Sequence, residues 1–218
     1  MSRKLKVDIP GVDRRASIDD VREAGGFGAL FACRVPAPLP LVVEIGFGRG
    51  EFLLALAREC PEQAFVGIEY SYKRTLKMAR RVARLGIANV VLVEASAEAV
   101  LRDALCDASV SCFWLNFPDP WPKKRHHRRR FVQSDSLAWI ARRLVPEGLL
   151  RIATDDLDYA RWIDEHLAAA PAFANRYAPD RWRGEVSGRM PTAYELEWRA
   201  LGRSFYFFEY ARRREVGG

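Results

Sequence analysis

Two stretches of this chain carry residues whose types and spacing suit chemistry. The first is Glu44-Ile45-Gly46-Phe47-Gly48-Arg49-Gly50, followed at a distance by Glu69. Glycines at a strand-to-helix turn let a ligand approach the backbone at the carboxyl edge of a sheet. The spacing is not that of a dinucleotide site. Counted from Gly46, the third glycine of GxGxxG falls on Glu51, and an acid at a helix N-terminus repels a pyrophosphate. Glu69, at the end of the next strand, is placed to accept from ribose hydroxyls. A nucleoside without phosphate beside carboxylates points to S-adenosyl-L-methionine, whose sulfonium and ammonium are cationic. Its candidate contacts are Glu44, Gly46, Gly48 and Glu69. Ser96 has two readings: a contact to the adenine edge, or the N-cap of a helix opening at Ala97.

The second stretch runs from Asn116 through Phe117-Pro118-Asp119-Pro120-Trp121-Pro122 into Lys123-Lys124-Arg125-His126-His127-Arg128-Arg129-Arg130. Three prolines in five residues stiffen the chain, which suits a side chain that must be held in place, namely Asp119. Trp121 either stacks on a base or covers the end of the sheet. The cations that follow would neutralise phosphates while a base enters the site. His126 and His127 are adjacent, without a nearby acid or thiol and among six cations, so no metal site is expected.

The elements that must position these groups alternate. Strands are predicted at Leu41 to Ile45, Ala64 to Ile68, Val90 to Val93, Val110 to Leu115 and Leu149 to Ala153. Helices are predicted at Glu51 to Glu59, Ser71 to Leu85, Ala97 to Leu105, Arg128 to Leu144 and Asp156 to Ala169. This order implies βαβ units and a doubly wound parallel sheet. After Pro171 the pattern changes: Trp182 to Glu197 reads as loop, and Arg203 to Tyr210 as a strand suited to a late antiparallel hairpin. Residues 1–40, polar and punctuated by Gly25-Gly26, Pro36, Pro38 and Pro40, read as a flexible basic arm and linker. Residues 41–218 read as one domain.

Composition narrows the class. The chain has 218 residues, 49% hydrophobic and 29% charged, which is globular rather than disordered. No apolar run of membrane-spanning length exists, and the N-terminus lacks the apolar core of a secretory signal. Four cysteines without a CxxC pair suit a reduced, cytoplasmic protein. The net charge is +7, yet two segments hold twelve cations and no acid between them: Ser71 to Arg84 and Lys123 to Arg130. The remainder is therefore net acidic. Basicity concentrated in this way is the footprint of a polyanionic partner, although a helix with one charged face would also explain the first segment.

Taken together, these residues resemble the bacterial tRNA (guanine-N7)-methyltransferase family. The resemblance rests on the glycine stretch from Glu44, on Gly67-Ile68-Glu69, on Phe117 through Arg130, on Thr154-Asp155 and on Thr192-Ala193-Tyr194-Glu195, in that order. It implies a class I S-adenosyl-L-methionine-dependent, Rossmann-like fold with a mostly parallel seven-stranded sheet and a C-terminal antiparallel hairpin. It implies methylation of a guanine N7 in the variable loop of tRNA by a monomer or homodimer without a membrane anchor. Glu44, Glu69, Ser96 and Asp119 would then contact the cofactor, with Asp119 also catalytic. Lys123, Asp155, Thr192 and Glu195 would contact the substrate, and Arg125, His126, His127, Arg128, Arg129 and Arg130 the RNA. The family usually has Asp or Asn at the position of Ser96, and its Arg-Pro-x-Thr stands here as Arg189-Met190-Pro191-Thr192. Because N7 must stay open to the methyl group, the enzyme is expected to read the N1–H and N2–H₂ edge of guanine with a carboxylate. Glu195 is the first candidate and Asp155 the second, Asp155 having the N-cap of the helix at Asp156 as its alternative. The alternative is a class I enzyme acting on another RNA, a protein or a small molecule; one acting on a protein or a small molecule would not need the second basic run. A non-catalytic RNA-binding module would not need Glu44 and Glu69.

Overall fold

The run Leu41–Ile45, with β-branched Val42, Val43 and Ile45, is wholly buried, as expected of a strand covered on both faces, and it forms β1. The computed structural model describes residues 7–32 and 40–214. Within them the chain divides into two compact units, meeting in sequence between Leu105 and Cys106. The first unit adds α3 (Glu51–Glu59), β2 (Ala64–Glu69), α4 (Tyr72–Arg84), β3 (Val90–Glu94) and α5 (Ala97–Asp103). β1 pairs parallel with β2, and β2 with β3, so Glu44 lies level with Gly67, and Glu69 with Glu94. Gly67 sits where no side chain fits: a Cβ there would lie 2.5 Å from Leu53 and 2.8 Å from Phe47. The glycine lets α3 and the loop before it pack directly on the strand.

Preceding β1, the expected flexible arm is partly ordered. α1 (Ile18–Ala24) opens with a capping box between Ser17 and Asp20. α2 (Phe27–Ala32) buries Phe27 and Phe31. Arg15 bridges Leu92 in parallel, and the Ala16 amide donates to the Leu92 carbonyl at 2.9 Å. The polar composition of this stretch hid three buried apolar anchors, Val21, Phe27 and Phe31. The rest of the arm and linker, residues 1–6 and 33–39, lies outside the described residues.

The second unit contains β4 (Val110–Asn116), a 3₁₀ turn (Lys124–Arg129), α6 (Ser134–Arg143), β5 (Leu144–Thr154), α7 (Leu157–Ala168), β6 (Phe173–Asn175), α8 (Ala193–Arg199) and β7 (Tyr206–Arg212). β4 and β5 are parallel, while β7 runs antiparallel to both β5 and β6. The strand order is β3-β2-β1-β4-β5-β7-β6, a seven-stranded sheet that is parallel except at its C-terminal strands. A long connection containing α8 joins β6 and β7, not a tight turn. Two helix expectations change. The helix predicted from Arg128 begins only at Ser134, because Gln133 and Ser136 form a capping box there. α8 falls in the stretch read as loop. Its seven residues bury only Glu195, so no apolar period marked it.

Candidate active site

The glycine turn after β1 is held by its neighbours. Gly46, Gly48 and Gly50 all have left-handed φ, at 71°, 56° and 73°, which only glycine adopts without strain. The three differ in their surroundings. A Cβ on Gly50 would lie 2.4 Å from Met78 Sδ, so this glycine serves packing. A Cβ on Gly46 would meet nothing within 4 Å, and one on Gly48 only the Gly46 carbonyl at 3.9 Å. These two leave bare backbone facing open space. Glu69, 7% exposed, accepts from the Gly48 amide and the Ser71 amide, both at 3.0 Å, with Arg74 3.6 Å away. The Glu69 carboxylate therefore shapes the turn, and its remaining lone pairs can still accept from hydroxyls. Glu44 is buried at the end of β1. Ser96 takes the capping role: its Oγ accepts from the Ala99 amide at 3.2 Å, starting α5. Open backbone between two acids fits a cationic nucleoside such as S-adenosyl-L-methionine, with Glu44, Gly46, Gly48 and Glu69 as the residues that would hold it.

In the second unit, Asp119 stands exposed on an elbow directly after β4. Phe117 and Trp121 bracket it with φ of 52° and 45°. Left-handed backbone at a residue other than glycine costs about 1–3 kcal/mol, so the surroundings must hold the turn. The Phe117 amide donates to the Ala153 carbonyl at 2.8 Å, and its ring packs on Tyr194 and Phe205. The Trp121 ring is half-buried between His126, at 5.9 Å, and the Arg129 guanidinium, at 4.9 Å.

The basic run that follows does not act as one surface. Lys123, Lys124, Arg125, Arg128 and Arg129 are exposed, and His126 and His127 are half-buried. His127 packs edge-on to Trp162. Arg130 is a correction: expected to contact RNA, it is 2% exposed. Its guanidinium lies 5.1 Å from the Tyr159 ring centre and 5.0 Å from that of Trp162, donates from Nε to the Pro120 carbonyl at 2.8 Å, and pairs with Asp158. Its side chain, 1% exposed, presents almost no surface to a phosphate. Hydrogen bonding to Arg130 also holds the Asp158 carboxyl below its ordinary value.

A second cluster gathers around α8. Thr192 caps the helix by accepting from the Glu195 amide at 3.0 Å, so the shifted proline at Pro191 leaves the cap intact. Glu195 is not a surface acid. It is 3% exposed, pairs with Arg189 through Oε2, and accepts from Arg199 on Oε1 at 2.9 Å. Arg189 in turn donates to Asn116 Oδ1 at 2.9 Å and lies over the Phe207 ring at 4.6 Å. Burial draws the Arg189 pKa down, opposed by Glu195. Asp155 does not cap α7; Asp156 does, accepting from the Tyr159 amide at 2.8 Å. Asp155 instead accepts from the Tyr194 hydroxyl at 2.9 Å and pairs with Arg203. Burial, then the bond to Asp155, raises the Tyr194 hydroxyl above its ordinary value, so it remains a donor. The sequence analysis names Arg189 and Asn116 but gives neither a role in the site. The available signals were an amide side chain at the carboxyl end of a strand and an arginine three residues before a helix cap.

The seven-stranded order with its antiparallel C-terminal strand, together with an acid-flanked glycine turn, defines a class I S-adenosyl-L-methionine-dependent methyltransferase. The family described as "Putative methyltransferase" matches residues 38–208. The chain belongs to this family, in which its relatives carry the name tRNA (guanine-N(7)-)-methyltransferase. The protein of that name from Azorhizobium caulinodans is 40% identical over 188 residues, covering 84% of this chain and 79% of the relative. That from Magnetococcus marinus is 38% identical over 211 residues, covering 96% and 79%. Among solved structures, a 16S rRNA (adenine(1408)-N(1))-methyltransferase variant from Catenulisporales acidiphilia, solved with S-adenosylmethionine, aligns with a TM-score of 0.62 at 18% identity, covering 99% of this chain and 100% of that one. This likeness concerns the fold.

Proposed function

We propose that this protein transfers a methyl group from S-adenosyl-L-methionine to N7 of a guanine in the variable loop of tRNA, as a cytoplasmic enzyme with one methyltransferase domain over residues 41–218. One observation carries the reading: an exposed carboxylate, Asp119, on a strained, proline-braced elbow that leads straight into exposed cations. The names of the relatives support the same substrate. In this reading the cofactor supplies an electrophilic methyl group on a sulfonium. Glu44 and Glu69 bind it, Gly46 and Gly48 give it room, and Ser96 lies beside it while capping α5.

Guanine N7 carries an in-plane lone pair, and its attack on carbon releases no proton, so no general base is required. The new N–C bond leaves positive charge on the purine as the C–S bond breaks. Asp119 is proposed to touch both cofactor and purine, orienting the base and stabilising that charge. Lys123, Arg125, Arg128 and Arg129 are proposed phosphate contacts, with His126 and His127 packed behind them. Thr192, Glu195 and Asp155 are proposed to face the base. Since Arg189 and Arg199 already use both Glu195 oxygens, only its remaining lone pairs can accept from guanine.

The test is incubation with unmodified tRNA and labelled cofactor, followed by mapping of the modified nucleotide. Label on guanine N7 is expected, and its loss on Asp119→Ala. Label on another atom, or none in tRNA, sinks the reading.

A further inference from the structure

Two arginines with side chains only 1% and 7% exposed, Arg130 and Arg189, reach the Asp119 elbow from different parts of the second unit. Arg189, from the segment before α8, donates to Asn116 Oδ1 at 2.9 Å, at the elbow's first residue. Arg130, from the end of the basic run, donates to the Pro120 carbonyl at 2.8 Å, at its last. Each grips a residue next to a left-handed one, Phe117 or Trp121. Both guanidiniums are themselves fixed. Arg130 lies against Tyr159 and Trp162 and pairs with Asp158. Arg189 lies over Phe207 and pairs with buried Glu195. A planar guanidinium with several fixed donors suits this task, since it can hold a carboxylate and a neighbouring oxygen together.

We propose that Arg130 and Arg189 are positioning residues that clamp the Asn116–Pro120 elbow at its two ends and so set where Asp119 points. Neither touches substrate in this assignment. Among the described residues no hydrogen bond or ion pair braces the carboxylate of Asp119, so the aim of that group depends on how firmly the two ends are held. The strain at Phe117 and Trp121 favours relaxation of the turn, and the two arginines oppose it. Arg130 thus leaves the electrostatic surface of the basic run and joins the scaffold of the site. Glu195 and Asp158 act one step further out, by holding the arginines.

The inference rests on the tRNA reading above, and the test separates the two. Arg130→Lys, Arg189→Lys and Asn116→Ala are compared with wild type in single-turnover methyl transfer at saturating tRNA and cofactor. Cofactor and tRNA dissociation constants, and amide exchange at Phe117 and Trp121, are measured alongside. A misplacement near 1 Å lowers a rate by about a hundredfold. Each variant is expected to lose about ten- to a hundredfold in saturated rate, with both dissociation constants close to wild type and with faster amide exchange at the elbow. Wild-type saturated rates in folded variants overturn the clamp. So does a weakened tRNA affinity with an unchanged saturated rate, which would return Arg130 to phosphate binding. If an arginine variant does not fold, Asn116→Ala decides, since it leaves both arginines and their carboxylates in place: a slowed rate with faster elbow exchange upholds the clamp, and an unchanged rate overturns it. Failure of wild type to methylate tRNA would instead sink the functional reading.

Discussion

Glu195 is one carboxylate that holds a cluster together and is proposed also to face the substrate. Its two oxygens meet Arg189 and Arg199, and its own amide is held by Thr192. Glu195→Gln is expected to lower turnover on tRNA while cofactor affinity stays nearly unchanged, a split that calorimetry and steady-state kinetics resolve. Collapse of cofactor affinity with normal turnover per bound complex would remove Glu195 from the substrate side. The same variant leaves Arg189 buried without its countercharge, so a stability loss of up to about 3–5 kcal/mol is expected in urea unfolding. Asp158 supplies a titration at this scale. Its pKa lies below the ordinary 3.8 because Arg130 is bound to it. A carboxylate with a lowered folded pKa adds stability above its unfolded value and loses it as pH falls through the folded one. Wild type should therefore lose stability more steeply than Asp158→Asn as pH drops below about 4. Parallel urea midpoints down the acid limb would contradict this.

Elements, not single residues, place the cofactor side. Gly67 in β2 lets Leu53 and Phe47 approach the strand, and a methyl group there has no room. Gly67→Ala is expected to cost about 1–3 kcal/mol by overpacking and to weaken cofactor binding through Phe47, which lies inside the glycine turn. Urea unfolding and calorimetry read the two effects, and an unchanged midpoint would show that the helix simply shifts. α4 raises a different question. It carries Lys73, Arg74, Lys77, Arg80, Arg81 and Arg84 with no acid among them. Lys73 and Lys77, Lys77 and Arg81, and Arg80 and Arg84 are like-charged pairs one turn apart, each unfavourable by about 0.2–0.5 kcal/mol. A face selected only for solubility interleaves signs. Asp8 offsets Arg80, while Lys73 and Lys77 have no acid within ion-pair distance among the described residues. Lys73→Glu with Lys77→Glu is expected to weaken tRNA binding, with cofactor affinity unchanged. Filter binding and calorimetry check this, and equal tRNA affinity would reduce α4 to a solvated face.

At the scale of the whole molecule, charge predicts how tRNA binding responds to salt. If Lys123, Arg125, Arg128 and Arg129 meet phosphates, the slope of log affinity against log salt carries about 0.7–0.9 per contact, and each alanine replacement should lower it by about that amount. Arg130→Lys should leave the slope alone, since buried Arg130 faces no phosphate. A slope that does not respond to the exposed four would place the RNA elsewhere. Among the described residues no helix is long and apolar enough to cross a membrane, and no cluster of metal-ligating side chains occurs.

The alternation of strands and helices, the acid-flanked glycine turn and the proline-braced Asp119 could all be read from the chain, because each depends on residues near one another in sequence. Local periodicity places β1 through β4, and local stiffness marks the elbow. Other features depend on contacts between residues far apart. Arg130 looked like its neighbours Arg128 and Arg129 until Tyr159 and Trp162 enclosed it. Glu195 stood in a stretch read as loop, with nothing local to mark the two arginines, Arg189 and Arg199, that close on it. The segment before β1 looked loose until Val21, Phe27 and Phe31 were seen to be buried. Composition reports how many charges a segment holds. Which of them face water, and which brace the turn that carries Asp119, is settled only by what the fold packs against them.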